Sequence, residues 1–247
     1  MIVERTEHPG WLSNAYLVAD GPGGHGVLID GNGVVDPLLE RIERDRIRIT
    51  HVLLTHHHGD HVVDAAGFRE RFGVPVLAQE LTARELPGQV DEVVADGAVV
   101  RSGDLENETI HTPGYSAGHT AFLVNGADCL TADLLFKGSV GGTSGAGGSY
   151  EDLRRSIMER VMALPPETRV HPGHREATTV GAEWNSNPFV RVWRGADPEG
   201  TERCRAGGRD ATLVVWARDY DGGHKAWVRF DSGEDAIVGG SRVDRLT

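Results

Sequence analysis

Four histidines and one aspartate occupy six consecutive positions of this chain, from His56 to His61. Neutral imidazole and carboxylate groups are the ligands that zinc and other borderline metal ions take in proteins. On an extended segment His56 and His58 project to the same side, because side chains alternate along a strand. Asp60 and His61 follow where the chain turns. One short loop therefore offers two pairs of ligands, and the pattern predicts a site for two adjacent metal ions.

The residues around this loop predict a strand before it and a helix after it. Residues 51–54 form an apolar run, and residues 60–72 have the pattern of a helix that ends at Gly73. Short apolar strands, such as those predicted at residues 15–19 and 120–124, alternate with turns and helices along the chain. This alternation predicts an α/β fold that places the loop at the end of a strand.

Three later stretches carry further potential ligands. They are residues 111–119, which include His111, Tyr115 and His119, then residues 131–136 around Asp133, and finally Pro172-Gly173-His174. Between the last two lies the glycine-rich stretch 138–148, followed by an amphipathic helix predicted over residues 150–164. No Gly-Lys-Ser/Thr follows the glycines, so they predict a flexible loop rather than a phosphate-binding loop.

Composition and charge exclude several classes of protein. The 247 residues carry 25 basic and 37 acidic side chains, and the resulting charge of −12 disfavours binding to nucleic acid. Cys129 and Cys204 lie far apart without Cys-x-x-Cys spacing, which argues against a disulfide framework and against a thiolate metal site. No signal pattern or membrane-length apolar stretch is present, so we expect a soluble cytoplasmic protein.

The composition changes after Arg194. Residues 195–200 resemble a linker, and residues 211–216 and 225–230 predict two strands joined as a hairpin through Asp221-Gly222-Gly223. We therefore expect a catalytic domain over residues 1–194 and a linker with a small β appendage over residues 195–247. One face of that appendage is expected to be buried. Self-packing and a role as a lid or homodimer contact remain alternatives.

Four motifs give the chain a family resemblance. Thr55-His-x-His-x-Asp-His61, Thr131-x-Asp-x-Leu-Phe136, Pro172-Gly-His174 and Asn187-Pro-Phe189 follow one another in this order. With them the chain resembles the metallo-β-lactamase-fold hydrolases, and it looks most like their glyoxalase II (hydroxyacylglutathione hydrolase) branch. The resemblance covers residues 10–192. It implies a four-layer αββα sandwich, to which the small C-terminal β appendage is added.

The resemblance also implies six metal ligands for two divalent ions. Zinc is the first expectation, with iron or manganese as alternatives. In addition to binding metal, Asp60 is the expected catalytic residue, as a proton acceptor or relay. In the family's order the ligands are His56 and His58 for the first ion, Asp60, His61 and His174 for the second, and Asp133 as the bridge between them.

One position departs from the family pattern. Where family members show a histidine after Thr-Pro-Gly, this chain has Tyr115, so the third ligand of the first ion is open. Tyr115 could bind as a phenolate, which requires its pKa to fall from about 10. Alternatively His119 takes that position, or the first site is weak and leaves a single-metal or iron-type centre. Asp30, which follows an apolar strand, is either an acceptor that orients a ligand histidine or a turn aspartate.

The expected reaction is attack of a metal-bound hydroxide on a carbonyl carbon, which would cleave a thioester or an ester or lactone of a small molecule. An iron-dependent persulfide dioxygenase-like oxidoreductase on the same fold is one alternative. A scaffold whose first metal site has decayed at Tyr115 is another. Two bound zinc ions would favour hydrolysis, one iron would favour oxygen chemistry, and no bound metal would favour the scaffold.

Overall fold

The computed structural model describes residues 1–246, which form two units, each built from several stretches of chain. No helix among the described residues is both long enough and apolar enough to span a bilayer. The first unit comprises Met1–His111, Gly118–Ala132 and Gly173–Arg175, and the second comprises Thr112–Ala117, Asp133–Pro172 and the chain from Glu176 onwards.

The first unit contains ten strands and four helices. Its strands are β1 (Ile2–Glu7), β2 (Asn14–Ala19), β3 (His25–Ile29), β4 (Arg48–Leu53), β5 (Val76–Ala78), β6 (Glu92–Val93), β7 (Val99–Ser102), β8 (Leu105–His111), β9 (Thr120–Val124) and β10 (Asp128–Ala132). Its helices are α1 (Asp36–Asp45), α2 (Gly59–Val62), α3 (Ala65–Phe72) and α4 (Glu80–Glu85).

A six-stranded sheet in the order β1-β2-β3-β4-β5-β6 is the centre of the first unit. β3 to β6 pair in parallel, and β2 and most of β3 are completely buried. On one face, Leu28 packs in a cluster with Leu38 of α1 and Phe68 of α3. On the other face, Ile29 packs in a cluster with Phe122 of β9, which belongs to the antiparallel run β10-β9-β8-β7. Burial on both faces explains why β2 and β3 are mainly apolar.

The second unit contains nine strands, three α-helices, a π-helix (Ser156–Val161) and a 3₁₀ helix (Gly240–Arg242). Its strands are β11 (Leu135–Phe136), β12 (Ser139–Val140), β13 (Arg169–Pro172), β14 (Thr178–Thr179), β15 (Glu202–Ala206), β16 (Arg209–Arg218), β17 (His224–Phe230), β18 (Asp235–Gly239) and β19 (Val243–Arg245). Its α-helices are α5 (Tyr150–Arg155), α6 (Val180–Ser186) and α7 (Pro188–Trp193).

Strands β15 to β19 form a five-stranded antiparallel sheet, called here the C-terminal sheet, in the order β18-β17-β16-β15-β19. The predicted hairpin is its β16–β17 pair, and both of its faces carry buried side chains, where the sequence analysis expects one buried face. Trp227 enters a core cluster with Leu153 of α5 and Phe189 of α7, whereas Val228 and Phe230 enter a second cluster inside the sheet. Residues 227 and 230 are an odd number apart, so their side chains point to opposite faces of β17.

Two predicted helices also differ from the structure. The helix predicted over residues 60–72 is divided into α2 and α3, and Asp64 at the break accepts a hydrogen bond from the Gly33 amide (2.6 Å). The helix predicted over residues 150–164 changes from α5 into the π-helix. There Ser156 donates its hydroxyl hydrogen bond to the Pro113 carbonyl (2.7 Å), and a side-chain bond of this kind accompanies a local change of helix winding.

Candidate metal centre

The histidine-rich loop lies at the carboxyl ends of two neighbouring parallel strands. Ile29 of β3 is opposite Leu53 of β4, so Asp30 and the start of the loop emerge side by side. The amide of Gly31 donates to the carbonyl of His61 (2.7 Å) and thereby fixes helix α2 against the end of β3. Side chains from two distant parts of the sequence therefore meet at this edge, as is usual for sites in parallel sheets.

Asp30 is the acceptor around which the loop is arranged. It is 3% exposed and has a left-handed backbone conformation (φ 58°) that turns the chain at the end of β3. Its Oδ1 accepts from the Thr55 amide (2.9 Å), and its Oδ2 accepts from the Thr55 hydroxyl (2.7 Å). The same Oδ2 lies 3.1 Å from Nδ1 of His61. Of the two interpretations of Asp30, the structure therefore supports the acceptor that orients a histidine.

These hydrogen bonds determine which ring nitrogen of His56 and His61 carries a proton. The Thr55 hydroxyl gives its hydrogen to Asp30, so it must accept from Nδ1 of His56, 3.0 Å away. Nδ1 of His61 faces a carboxylate oxygen and is likewise the donor. Both rings therefore present the lone pair of Nε2, which is the atom that a metal ion would bind.

Thr55 is the residue of this network that the sequence analysis did not single out. It is 1% exposed and connects Asp30 to His56 through one hydroxyl group. Its position as the first residue of the Thr-His-x-His-x-Asp-His motif was the available signal. The sequence does not show that the Thr55 hydroxyl donates to Asp30 and accepts from His56, because Asp30 comes beside Thr55 only in the folded structure.

Asp60, His61 and His174 form a cluster whose ligand atoms all lie within 4.8 Å of one another. Oδ2 of Asp60 is 3.6 Å from Nε2 of His61 and 3.8 Å from Nε2 of His174. These separations exceed hydrogen-bond length. Ligand atoms around a tetrahedral ion at about 2.1 Å would lie about 3.4 Å apart, so the donor set and its spacing fit a divalent metal ion.

His174 reaches this cluster although 112 residues separate it from the histidine-rich loop. The amide of Gly173 donates to the carbonyl of Ala132 at the end of β10 (2.8 Å), and the amide of Asn14 donates to the carbonyl of Gly173 (2.7 Å). Ser13 forms a β-bridge with His174 itself. The Pro-Gly-His motif is therefore held between the ends of two strands, and only 4% of the His174 side chain is exposed.

The other histidines of the loop lie next to this cluster. The ring centroids of His56 and His58 are 4.7 Å apart, and those of His56 and His61 are 4.6 Å apart. His119 is completely buried, and its ring stacks on His56 at 5.4 Å with an interplanar angle of 27°. His119 is thus a neighbour of the loop, although it does not belong to the cluster of Asp60, His61 and His174.

Asp133 and Tyr115 belong to the second unit. Asp133 is 2% exposed and follows Ala132, whose left-handed backbone (φ 42°) turns the chain at the end of β10. Tyr115 is half-buried and packs against the apolar cluster that contains Leu153. The structure therefore places Asp133 directly after the end of a strand and places Tyr115 on another loop of the same unit.

The cysteines take no part in this chemistry. Cys129 and Cys204 are both free and buried. Burial raises the pKa of the Cys129 thiol to about 12 and also raises the pKa of Cys204. Neither therefore supplies a thiolate at neutral pH.

Comparison with known proteins assigns the family. The sequence profile of the metallo-beta-lactamase superfamily matches residues 8–174. The chain belongs to this superfamily. Hydroxyacylglutathione hydrolase GloC of Haemophilus influenzae is 31% identical over 182 residues, in a match that covers 66% of this chain and 86% of the relative. The resemblance drawn from the four motifs is therefore confirmed.

Solved structures support the same assignment. The crystal structure of ETHE1 from Myxococcus xanthus is similar with a TM-score of 0.70 and 27% identity, over 80% of this chain and 92% of that chain. The crystal structure of TTHA1623 in a di-iron-bound form has a TM-score of 0.64 and 34% identity, over 76% of this chain and all of that chain (100%). The predicted α/β fold class of the superfamily is confirmed.

Proposed function

We propose that the chain is a metal-dependent hydrolase that cleaves a thioester or an ester of a small molecule. The observation that carries this proposal is that the ligand atoms of Asp60, His61 and His174 lie close together. In addition, Asp30 accepts a hydrogen bond from Nδ1 of His61, which leaves Nε2 directed at this cluster. Superfamily membership and the hydroxyacylglutathione hydrolase relative support a hydrolytic reaction. A thioester is therefore the first substrate class, and an ester or lactone is the second.

The proposed centre holds two divalent ions. Asp60, His61 and His174 would bind one of them, while His56 and His58 would bind the other. Asp133 is proposed as the bridge on the strength of the Thr-x-Asp-x-Leu-Phe motif. Nitrogen and oxygen donors of this kind suit zinc, and they also suit iron or manganese. When bound, such ions lower the pKa of a water molecule towards neutrality and polarise a carbonyl group.

The chain's own residues provide orientation and proton transfer. The hydrogen bonds of Asp30 and Thr55 keep the Nε2 lone pairs of His56 and His61 available without reorganisation. Asp60 remains 28% exposed, so its carboxylate borders solvent while the two histidines of its cluster are buried. Asp60 is accordingly the proposed acceptor for the proton that an attacking water molecule loses.

An iron-dependent oxidoreductase is the second candidate. One observation favours it, the Tyr115 that stands in place of a histidine of the family pattern. A similar solved structure that is described in a di-iron-bound form supports iron as a metal that this fold holds. Phenolate oxygen is a harder ligand than imidazole and suits iron better than zinc. A decayed scaffold has less support, because the Asp60, His61 and His174 cluster and its hydrogen bonds are intact.

Elemental analysis of the full-length protein, combined with a panel of thioester and lactone substrates, tests the proposal. We expect two divalent ions per chain, as in other two-metal sites. His58→Ala and Asp133→Ala should abolish hydrolysis, and Asp133→Ala should reduce the occupancy of both ions. His25→Ala is the matched control, because His25 lies at the opposite end of β3 beside Asp20. Less than one metal per chain after metal-replete expression would overturn the proposal.

A further inference from the structure

The chain leaves Asp133 through a short hairpin, called here the exit hairpin, formed by β11 and β12. Leu135 pairs with Val140, and the amide of Gly141 donates to the carbonyl of Leu134 (3.0 Å), which returns the chain to its starting point. A Cβ atom added to Gly141 would lie 2.2 Å from the carbonyl oxygen of Asp133. It would also lie 3.1 Å from Cδ2 of Tyr115. The backbone at Gly141 is therefore in close contact with both Asp133 and Tyr115.

The C-terminal sheet contacts the exit hairpin through Asp219, at the turn between β16 and β17. Oδ1 of Asp219 accepts from the Ser139 hydroxyl (2.8 Å), and its Oδ2 pairs with Nζ of Lys225 (2.9 Å). Only 6% of the Asp219 side chain and 11% of the Lys225 side chain are exposed. The ring of the next residue, Tyr220, packs against Phe136 of β11 at a centroid distance of 4.7 Å.

A second connection lies on the other side of Gly141. The amide of Thr143 donates to the carbonyl of Ile237 in β18 (2.9 Å), and the amide of Ile237 donates to the Thr143 hydroxyl (2.9 Å). Ile237 is completely buried and Thr143 is 9% exposed. The C-terminal sheet therefore holds the chain at Ser139 and at Thr143, two residues before and two residues after the glycine that touches Asp133.

The remaining side of the exit hairpin is held by the helices. The amide of Gly138 donates to the carboxylate of Glu183 in α6 (2.9 Å), and the side-chain amide of Asn187 donates to the carbonyl of Ser139 (3.1 Å). These bonds fix the turn of the hairpin but make no contact with Gly141 or Thr143. Gly141 and Gly142 have no side chain that restricts their backbone, so the contacts with the C-terminal sheet restrict them instead.

We propose that the C-terminal sheet is a positioning element of the metal centre, and that Asp219 and Thr143 set the position of Asp133 through the exit hairpin. The proposal rests on the proposed function, in which Asp133 bridges two ions. The superfamily match ends at residue 174, so the sheet lies outside the region that the family shares. Ligand position depends on the groups that support a ligand, and loss of such a group weakens metal binding.

The test compares Asp219→Ala with Asp231→Ala in the full-length protein. Asp231 is a matched control, because it pairs with Arg203 at 2.8 Å on an exposed part of the same sheet and does not contact the exit hairpin. Zinc affinity is measured on metal-free protein by competition with a chromophoric chelator, and hydrogen exchange is measured at the amides of Gly141 and Thr143. We expect Asp219→Ala to weaken zinc binding by about ten- to hundredfold and to accelerate both exchange rates, whereas Asp231→Ala should change neither.

Asp219→Ala could fail to fold, because it leaves the charge of Lys225 buried without its carboxylate partner. A second variant therefore tests the same contact from the other side. Ser139→Ala removes only the hydroxyl bond to Asp219 and should give a smaller change of the same sign. Asp133→Ala distinguishes the proposed function from the proposed positioning role of the C-terminal sheet. If it abolishes zinc binding while Asp219→Ala and Ser139→Ala leave affinity and exchange unchanged, the positioning role is overturned and the proposed function stands. If the wild-type protein binds no metal, both are overturned.

Discussion

At the scale of single residues, Asp30 and Thr55 decide how the histidine-rich loop presents its nitrogen atoms. A surface loop with four histidines would sample both tautomers and many ring orientations. Here the Asp30 carboxylate takes three hydrogen bonds from Thr55 and His61, and the Thr55 hydroxyl in turn orients His56. The conformational entropy of these rings is therefore lost during folding, so metal binding does not have to order them.

Asp30→Asn should weaken zinc binding by about ten- to hundredfold, because an amide cannot accept all three hydrogen bonds and retain the orientation of His61. Asp20→Asn is the matched control. Asp20 accepts a hydrogen bond from the His25 amide (2.7 Å) and lies at the far end of β3 from the loop. Calorimetric titration of metal-free protein with zinc is the measurement. Equal affinities for the two variants would show that Asp30 does not orient the ligands.

Tyr115 occupies the position at which the resemblance to the family predicts a histidine. If its phenolate binds the first ion, Tyr115→His should raise zinc affinity at that site, whereas Tyr115→Phe should lower its occupancy. The iron-loaded protein should also show a visible charge-transfer band that Tyr115→Phe removes. Metal content and absorption spectra are the measurements. Unchanged occupancy in Tyr115→Phe would exclude Tyr115 as a ligand, and His119→Ala would then test the buried histidine that stacks on His56.

At the scale of elements, short loops at strand ends carry the candidate ligands, and a buried polar side chain at the start of α7 holds the segment that follows Asp133. Asn187 is completely buried and begins α7, where its Oδ1 accepts from the Phe189 amide (3.0 Å). Its side-chain nitrogen donates to Glu183 (2.9 Å) and to the carbonyl of Ser139 in the exit hairpin (3.1 Å). One side chain therefore links a helix start to the segment that follows Asp133.

Asn187→Ala should lower the free energy of unfolding by about 2–4 kcal/mol. Loss of the helix cap accounts for about 1 kcal/mol, and a buried carbonyl left without its donor accounts for about 1–3 kcal/mol. Thr179→Ala is the comparison, because Thr179 caps α6 through a bond to the Ala182 amide (3.1 Å) at a half-buried position. That variant should lose only about 1 kcal/mol. Urea denaturation measures both, and equal losses would mean that Asn187 acts as a cap alone.

At the scale of the whole chain, the boundary between a catalytic domain and a C-terminal appendage stays a prediction. Val215 and Ile237 share one core cluster with Leu153 and Phe189, which lie before residue 194. The C-terminal sheet therefore has two roles within the second unit. It has an apolar interior of its own, and it also completes the core around α5 and α7.

Truncation after Gly195 should expose this shared core. Each large apolar side chain that loses its cover forfeits about 1.5–3 kcal/mol of burial, so the truncated protein should unfold at lower temperature and associate. Thermal unfolding, binding of a hydrophobic dye and light scattering are the measurements. A truncated protein that keeps the thermal midpoint, mass and metal content of the full chain would show that the sheet is dispensable.

The sequence alone determined the chemistry that depends on short spacing. His56, His58, Asp60 and His61 fall within one loop, so their proximity follows from the length of the chain between them. The strands could be predicted for a similar reason, because uniformly apolar runs bounded by turns indicate burial on both faces. The motif order gave the superfamily and the identity of the candidate ligands without any knowledge of distances.

Only the tertiary structure decided which distant residues meet. Asp30 reaches Thr55 because β3 and β4 pair in parallel, and His174 reaches Asp60 because Gly173 bonds to Ala132 and Asn14. Strand pairing of this kind depends on the packing of the complete sheet, which a local sequence pattern does not predict. The sequence did not predict the burial of both faces of β17 for the same reason. The large apolar side chains of the predicted strands suggested one buried face, whereas the structure buries a second face against α5 and α7, which precede the sheet in the sequence.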